Sequence, residues 1–84
     1  MNLQQQKELL KIVINELTSV NIPITGVYMP SQETDGGLEI DGQYVLQIAP
    51  YHDPIFVLDV VESPGEDIAS FANPSELIKF IMET

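Results

Sequence analysis

The 84-residue chain has the length of one small domain, and its 44% hydrophobic content with a mean hydropathy of +0.08 is typical of a globular protein. Its charge is strongly unbalanced, because 13 Asp and Glu residues stand against three Lys and no Arg, for a net charge of -10. A surface this acidic repels nucleic acid and anionic lipid, which excludes direct nucleic-acid binding. The absence of cysteine excludes disulfides, thiolate nucleophiles and zinc–thiolate sites.

The sequence shows no membrane or export signal. Its longest apolar run, residues 55–61, is interrupted by Asp59 and is far shorter than the roughly 20 residues that cross a bilayer. The N-terminus holds a run of glutamines where a signal peptide would need an apolar stretch. We therefore expect a cytoplasmic protein that does not bind membranes.

The two ends of the chain are predicted to be helices. Apolar residues recur at three- and four-residue spacing over residues 3–20, and Asn21 suits a left-handed cap after them. The second helix is predicted to begin at Pro74, a favoured first residue, with Asn73 as its N-cap. Glu76 stands at the position from which a side chain reaches back in a capping box.

The middle of the chain is predicted to be an antiparallel sheet. Residues 24–29 lie between two prolines, which favours an edge strand, and residues 30–37 form a polar loop that ends in two turn glycines. A hairpin and a further strand follow, and residues 68–71 are either a short strand or an extended lead-in to the second helix. Short connections leave no room for parallel crossovers. We expect one acidic α+β domain over residues 1–84: a helix, a three- to four-stranded antiparallel β-meander and a helix, packed as a two-layer α/β sandwich.

The hairpin GLEIDGQYVLQI has two alternative turns. A two-residue turn at Asp41-Gly42 pairs Ile40 with Gln43 and mixes polar and apolar side chains on both faces. A three-residue turn that includes Ile40 pairs Glu39 with Gln43 and separates the two faces cleanly, so we favour it. The core face then holds Leu38, Tyr44, Leu46 and Ile48, and the outer face holds Glu39, Gln43, Val45 and Gln47.

The strand predicted over residues 55–62 adds apolar side chains to both faces. Its core set is Phe56, Leu58 and Val60, and its outer set, beside Val45, is Ile55, Val57, Asp59 and Val61. Such an outer face either tolerates single aliphatic residues or forms an interface. The interface interpretation gives one functional hypothesis, a self-associating structural or adaptor module that forms a homodimer through Val45, Val57 and Val61.

No set of residues predicts an enzyme. His52, the only histidine, stands beside Asp53 in a proline-bounded turn, where adjacent residues seldom converge on a substrate, so we interpret it as an exposed turn residue. The acids between residues 33 and 41 do not have the spacing of an EF-hand loop. We expect no catalysis, no cofactor and no metal site.

The acidic surface is the strongest functional signal. No Lys or Arg occurs between Ile12 and Ile78, and solubility alone does not require so complete an exclusion, because repulsion among acids lowers stability. In length, charge and α+β content the chain resembles small acidic inhibitors such as phage-encoded anti-CRISPR and other DNA-mimic proteins. The resemblance implies a viral inhibitor that occupies a basic surface of a nucleic-acid-handling protein. The residues expected to bind this partner are Glu33, Asp35, Glu39, Asp41, Asp59, Glu62, Glu66 and Asp67.

Overall fold

The computed structural model describes residues 1–83, which form two helices and five strands. In chain order these are α1 (Leu3–Ser19), β1 (Ile24–Tyr28), β2 (Gly36–Ile40), β3 (Tyr44–Ile48), β4 (Phe56–Val60), β5 (Asp67–Phe71) and α2 (Pro74–Glu83). The strands form one antiparallel sheet in the order β1-β2-β3-β4-β5. The predicted α+β fold of a helix, an antiparallel meander and a helix is confirmed, with five strands in place of three to four.

Helix α1 is closed at both ends by hydrogen bonds. Asn2 Oδ1 accepts from the Gln5 N–H at 2.8 Å and Gln5 Oε1 accepts from the Asn2 N–H at 2.9 Å, which is a reciprocal capping box. At the other end Asn21 has a φ of 61°, and the Ile22 N–H donates to the Leu17 carbonyl at 3.0 Å. This Schellman arrangement places Ile22 against the helix end, where it and Leu17 are both buried. The predicted left-handed cap at Asn21 is confirmed.

Both helices pack on the same face of the sheet, and the core lies between the two layers. The rings of Phe71 in β5 and Phe80 in α2 lie 5.5 Å apart, centroid to centroid, and join the second helix to the sheet edge. The fully packed core consists of Leu10, Val13, Leu17, Ile22, Leu38, Ile40, Leu46, Ile48, Phe56, Leu58, Phe71 and Leu77. We call the opposite side of the sheet the outer face.

The hairpin between β2 and β3 has a register that differs from both predicted turns. Ile40 pairs with Tyr44 and Leu38 pairs with Leu46. The favoured prediction paired Leu38 with Tyr44, whereas the observed partner of Leu38 is Leu46. Because side chains alternate between the faces every two residues, a register difference of two leaves each side chain on its predicted face. The predicted core face is confirmed, whereas Ile40 is a buried strand residue and does not belong to the turn.

The turn itself combines features of both predicted forms. Asp41 and Gly42 have φ angles of 52° and 62°, and the Gln43 N–H donates to the Ile40 carbonyl at 3.0 Å, as in a type I′ turn. Gln43 is then an extra residue before β3 begins. The prediction of Gln43 as an outer-face strand residue is therefore wrong, because this residue completes the turn.

Gly36 and Gly37 are buried strand residues and not turn glycines as predicted. A Cβ at Gly36 would lie 3.0 Å from Pro30 Cδ, since the buried proline ring packs on this position. A Cβ at Gly37 would collide with the Leu46 carbonyl oxygen of the neighbouring strand. The predicted loop over residues 30–37 is wrong at its last two positions, because glycine also marks places where two backbones approach closely in a sheet.

Strand β5 resolves the ambiguous segment of the sequence. Ala69 pairs with Leu58 on the core face, but the register then shifts, so that Asp67 rather than Ile68 stands opposite Asp59. Ile68 is the extra residue of this bulge and is exposed. The bulge therefore determines which side chain faces Asp59.

Helix α2 begins as the sequence predicts. The Glu76 N–H donates to Asn73 Oδ1 at 3.0 Å, and Glu76 Oε2 reaches back to accept from the Ala72 N–H at 3.1 Å. Glu76 thus satisfies a backbone donor one residue earlier than a standard capping box would. Over residues 1–83, no helix combines the length and apolarity needed to cross a membrane.

Candidate functional site: an acidic outer sheet face

Charge is distributed unequally between the two layers. The helices carry all three lysines, Lys7, Lys11 and Lys79, together with four glutamates. Residues 20–73, which form the sheet and its loops, carry nine acids and no base. Nearly all of the net charge of -10 therefore belongs to the sheet layer.

Three of these acids lie in one row across the outer face. Glu39 of β2 stands beside Val45 of β3, Val45 beside Asp59 of β4, and Asp59 beside Asp67 of β5. Because neighbouring strands lie about 4.8 Å apart, Asp59 and Asp67 are about 5 Å apart at their backbones and Glu39 is about 10 Å from Asp59. Like charges placed opposite each other in adjacent strands repel. The row therefore concentrates negative potential on this face.

Asp59 is the buried member of the row. It is 8% exposed, and its Oδ2 accepts from the Gly65 N–H at 3.1 Å, where the β4–β5 loop folds back on the strand. Its Oδ1 is buried and has no hydrogen-bond partner among residues 1–83. The sequence predicts Asp59 to be an outer residue beside solvent, which is wrong as to exposure. The physical reason is the loop, since Gly65 at a φ of 88° brings its N–H to the carboxylate.

The surroundings of Asp59 make its carboxyl group hold a proton more readily. Burial raises the pKa of Asp59 above the ordinary value of an aspartate, and the hydrogen bond from Gly65 offsets part of this increase. Asp67 raises the pKa of Asp59 further, by its negative charge and by a hydrogen bond that forms when one of the two groups is protonated. A cation that binds the exposed Asp67 carboxylate would relieve the repulsion within the pair.

Glu39 is held in place by a threonine of the edge strand. Thr25 Oγ1 donates to Glu39 Oε2 at 2.8 Å and accepts from the Gly42 N–H at 2.9 Å. The register of β1 shifts between Ile24 and Gly26, and this bulge at Thr25 permits the contact. The carboxylate is therefore fixed by the sheet edge and the β2–β3 turn together.

Asp35 is fixed in a similar way at the other end of β2. Its Oδ2 accepts from Gln47 Nε2 of β3 at 2.8 Å. Asp35, Gly37 and Glu39 alternate along the strand and so belong to the outer face. At about 3.3 Å per residue, the two acids are separated by about 13 Å.

Between the two acids the outer face has a shallow cavity. Gly37 forms its floor, and Tyr28, Val45 and Gln47 form its walls, with Asp35 at one end. The cavity has a volume of about 180 Å³. It exists because no side chain fits at Gly37, and we call it the glycine trough.

The other acids predicted to bind a partner lie outside the outer face. Asp41 in the β2–β3 turn and Glu62 and Glu66 in the β4–β5 loop are exposed at one end of the sheet, which a hydrogen bond from Val61 N–H to Gln43 O ties together. Glu33 is exposed in the β1–β2 loop at the opposite end. The structure therefore divides the eight predicted residues into three groups. The outer-face set is Asp35, Glu39, Asp59 and Asp67, the end set is Asp41, Glu62 and Glu66, and Glu33 stands alone. Partner binding by any of them stays a prediction.

The three valines proposed for self-association do not form one exposed patch. Val57 is 4% exposed between Gln47 and Ser70 of the neighbouring strands, so it offers almost no surface to a second copy. Val45 is half-buried, and Val61 lies beyond the end of β4. The expectation of an exposed apolar stripe on this face is corrected, because polar neighbours on both flanking strands border Val57. Self-association itself stays a hypothesis, which light scattering at micromolar concentration would test.

His52 and Asp53 are exposed in the turn between β3 and β4, as the sequence predicts for the histidine. The His52 ring forms a hydrogen bond within the turn, since its Nδ1 lies 2.6 Å from the Pro54 carbonyl oxygen. Among residues 1–83, no three His, Cys, Asp or Glu side chains come together in a group that could hold a metal ion.

Sequence reasoning missed three residues that shape this surface: Thr25, Tyr28 and Gly37. The alternation of Asp35, Gly37 and Glu39 at two-residue spacing is a signal that could have placed a gap between two outward acids. The contributions of Thr25 and Tyr28 depend on the bulge in β1, which no local pattern reveals.

The fold and this surface define the protein as a small acidic α+β protein whose sheet face is negative and partly preorganised. A comparison of the chain with protein-family models, curated proteins and solved structures finds no match.

Proposed function

We propose that this protein is a binding protein whose acidic outer face occupies a basic surface of a nucleic-acid-handling partner, as inhibitors of the anti-CRISPR and DNA-mimic kind do. It acts by occupying that surface and performs no catalysis. It functions in the cytoplasm, does not bind nucleic acid or membranes directly, and needs no cofactor.

The observation that supports this proposal is the separation of charge between the layers. Nine acids and no base lie in residues 20–73, while every lysine lies on a helix that packs on the opposite side of the sheet. Electrostatic attraction orients a protein with this distribution so that its sheet faces a basic surface as the two approach. Steering of this kind increases the association rate and falls as ionic strength rises.

The carboxylates on this face are also held ready for binding. Glu39 is fixed by Thr25 and Asp35 by Gln47, each through a hydrogen bond of 2.8 Å that uses one carboxylate oxygen. Side chains that are already ordered lose little conformational entropy when a partner binds. Rigid carboxylates can therefore replace nucleic-acid phosphates at fixed positions on a basic partner.

The proposal is tested by capturing partners on immobilised protein with three variants of equal net charge. The outer-face variant carries Asp35→Asn, Glu39→Gln and Asp67→Asn. The end variant carries Asp41→Asn, Glu62→Gln and Glu66→Gln. The control variant carries Glu8→Gln, Asp53→Asn and Glu83→Gln, all at exposed positions that we do not place in the binding surface.

The expected result is that wild type and the control variant retain basic, nucleic-acid-binding proteins, identified by mass spectrometry. These proteins should elute with duplex DNA or with raised salt, because both compete for the same basic groups. The outer-face variant should retain much less of these proteins. The amount retained by the end variant measures the contribution of Asp41, Glu62 and Glu66. Equal capture by the outer-face and control variants, or capture that DNA does not reverse, would contradict the proposal.

A further inference from the structure

We infer that the glycine trough is the receptor for a single arginine side chain of the basic partner. This inference rests on the proposed function and sharpens it, because it names the residue type that is recognised and the place where it binds. It follows from the shape of the trough, from its aromatic wall, from Asp35 at one end and from the negative potential of Glu39 farther along the same strand.

The shape of the trough suits one side chain. Its volume of about 180 Å³ is below the roughly 300 to 1,000 Å³ of small-molecule pockets. Its floor at Gly37 cannot be filled by the protein's own side chain, because a Cβ there would collide with the Leu46 carbonyl oxygen. The depression is therefore a permanent feature of the sheet.

The walls suit a long side chain with a cationic end. Tyr28 is 49% exposed, and its hydroxyl lies near Gly26, so its ring extends along β1 beside the trough. An aromatic ring attracts a cation placed within about 6 Å of its centre. Val45, on the opposite wall, offers an apolar surface to the methylene groups of such a side chain.

The charges select a base and exclude an anion. Asp35 lies at one end of the trough with one oxygen engaged by Gln47, and its other oxygen has no described hydrogen bond within residues 1–83. Glu39 adds negative potential from the opposite end of the same strand segment, about 13 Å away. An apolar side chain in the trough would shield the second Asp35 oxygen from water without offering it a hydrogen bond, which is unfavourable.

Arginine suits the trough better than lysine for two physical reasons. Its planar guanidinium stacks on an aromatic ring, and its donors form a fork that matches a carboxylate. The compact, strongly hydrated lysine ammonium makes neither contact as well. We therefore expect the trough to distinguish the two bases, whereas the general acidic surface attracts both.

The test compares hexa-arginine and hexa-lysine peptides by calorimetric titration at low salt. Tyr28→Ala removes the aromatic wall and Tyr28→Phe retains it, while Asp35→Asn removes the charge and keeps an acceptor for Gln47. Tyr51→Ala is the matched aromatic control, since Tyr51 is 89% exposed in the β3–β4 turn and does not line the trough. Glu8→Gln, at an exposed position of α1 on the other layer, is the matched charge control.

We expect Tyr28→Ala to weaken hexa-arginine binding about three-fold to five-fold, as the loss of an exposed cation–π contact does. Asp35→Asn should weaken it roughly ten-fold, as the loss of a charge-assisted hydrogen bond does. Hexa-lysine binding should change less in both variants, and Tyr28→Phe and both controls should bind like wild type. The circular dichroism spectrum and unfolding midpoint of each variant show that its fold is intact.

The possible failures separate the two claims. If wild type binds both peptides with a steep salt dependence and Tyr28→Ala binds hexa-arginine like wild type, the trough is not the receptor and the acidic-surface proposal stands. Equal losses for hexa-arginine and hexa-lysine would also overturn the arginine assignment. If wild type binds neither peptide at low salt, both the trough inference and the proposed function are wrong.

Discussion

Asp59 and Asp67 stand directly opposite each other in β4 and β5, and within residues 1–83 the Asp59 carboxylate accepts from the Gly65 N–H through Oδ2 while Oδ1 has no partner. The bulge at Ile68 creates this pair, because a regular register would place Ile68 opposite Asp59. Two neighbouring carboxylates repel each other when both are ionised. The pair therefore lowers the stability of the folded protein at neutral pH and is relieved when a cation or a proton arrives.

The first prediction concerns how the stability lost through the Asp59–Asp67 repulsion depends on pH. The pKa of Asp59 is raised in the folded state, so the folded protein binds more protons than the unfolded chain between the ordinary and the raised pKa. The stability contributed by Asp59 is therefore greatest below the ordinary aspartate pKa and decreases as pH rises through the raised value. Asp59→Asn removes this loss and can offer an amide donor to Asp67.

We expect Asp59→Asn to raise the free energy of unfolding by about 1 kcal/mol at pH 7, with the gain shrinking as pH falls through the raised pKa and largely gone below the ordinary aspartate pKa. Urea unfolding at several pH values measures this difference. Asp53→Asn, at an exposed turn, is the matched control and should change stability little. A gain that is equally large in acid would show that charge is not its cause.

The second prediction concerns the close approach of β2 and β3. Gly37→Ala forces a Cβ toward the Leu46 carbonyl and should cost about 1 to 3 kcal/mol, as overpacking does. Gly42→Asn is the control, because no atom lies within 4 Å of a Cβ at that position and asparagine tolerates a φ of 62°. Chemical unfolding should show a large loss for the first variant and little change for the second. Equal losses would argue against the described packing at Gly37.

The third prediction tests the hairpin register. Ile40 is fully buried in β2, so Ile40→Ala should cost about 2 to 5 kcal/mol. Gln43 is exposed in the turn, and Gln43→Ala should change the free energy of unfolding by about 0.5 kcal/mol or less. A register that placed Ile40 in the turn would make the first loss small. Urea midpoints of the two variants decide between these registers.

The fourth prediction concerns the start of α2. Asn73 Oδ1 accepts from the Glu76 N–H at 3.0 Å, so Asn73→Ala should lower the free energy of unfolding by about 1 kcal/mol. Asn73→Asp retains the acceptor and should retain most of the stability. The unfolding midpoints of these variants measure the effect, and a loss in both would show that the cap is not its source.

Periodicity and capping chemistry predict the helices well. The three- and four-residue spacing of apolar side chains gives α1 within one residue of its observed end, and Asn73 with Pro74 gives the start of α2. Both signals act over a single turn of chain, so the surrounding fold does not alter them. The capping box of Asn2 and Gln5 has the same local character and was available in the sequence.

The sheet is harder to predict, because its details depend on contacts between strands. The bulges at Thr25 and Ile68 shift the pairing without leaving a local sequence signal. The burial of Asp59 depends on a later loop that returns to it through Gly65. The acids of the candidate site could therefore be named from the sequence. Their division among the outer face, the sheet end that holds the β2–β3 turn, and the β1–β2 loop required the structure.

If the acidic outer face binds a basic partner as we propose, it competes with nucleic acid for that partner. The most direct measurement is fluorescence anisotropy of labelled duplex DNA bound to a captured partner, titrated with the wild-type protein and with the outer-face and control variants. We expect wild type and the control variant to displace the DNA, whereas the outer-face variant should need roughly ten-fold more protein, because it lacks three charged contacts. DNA that stays bound at saturating wild-type protein, or displacement that is equal for the two variants, would contradict the claim.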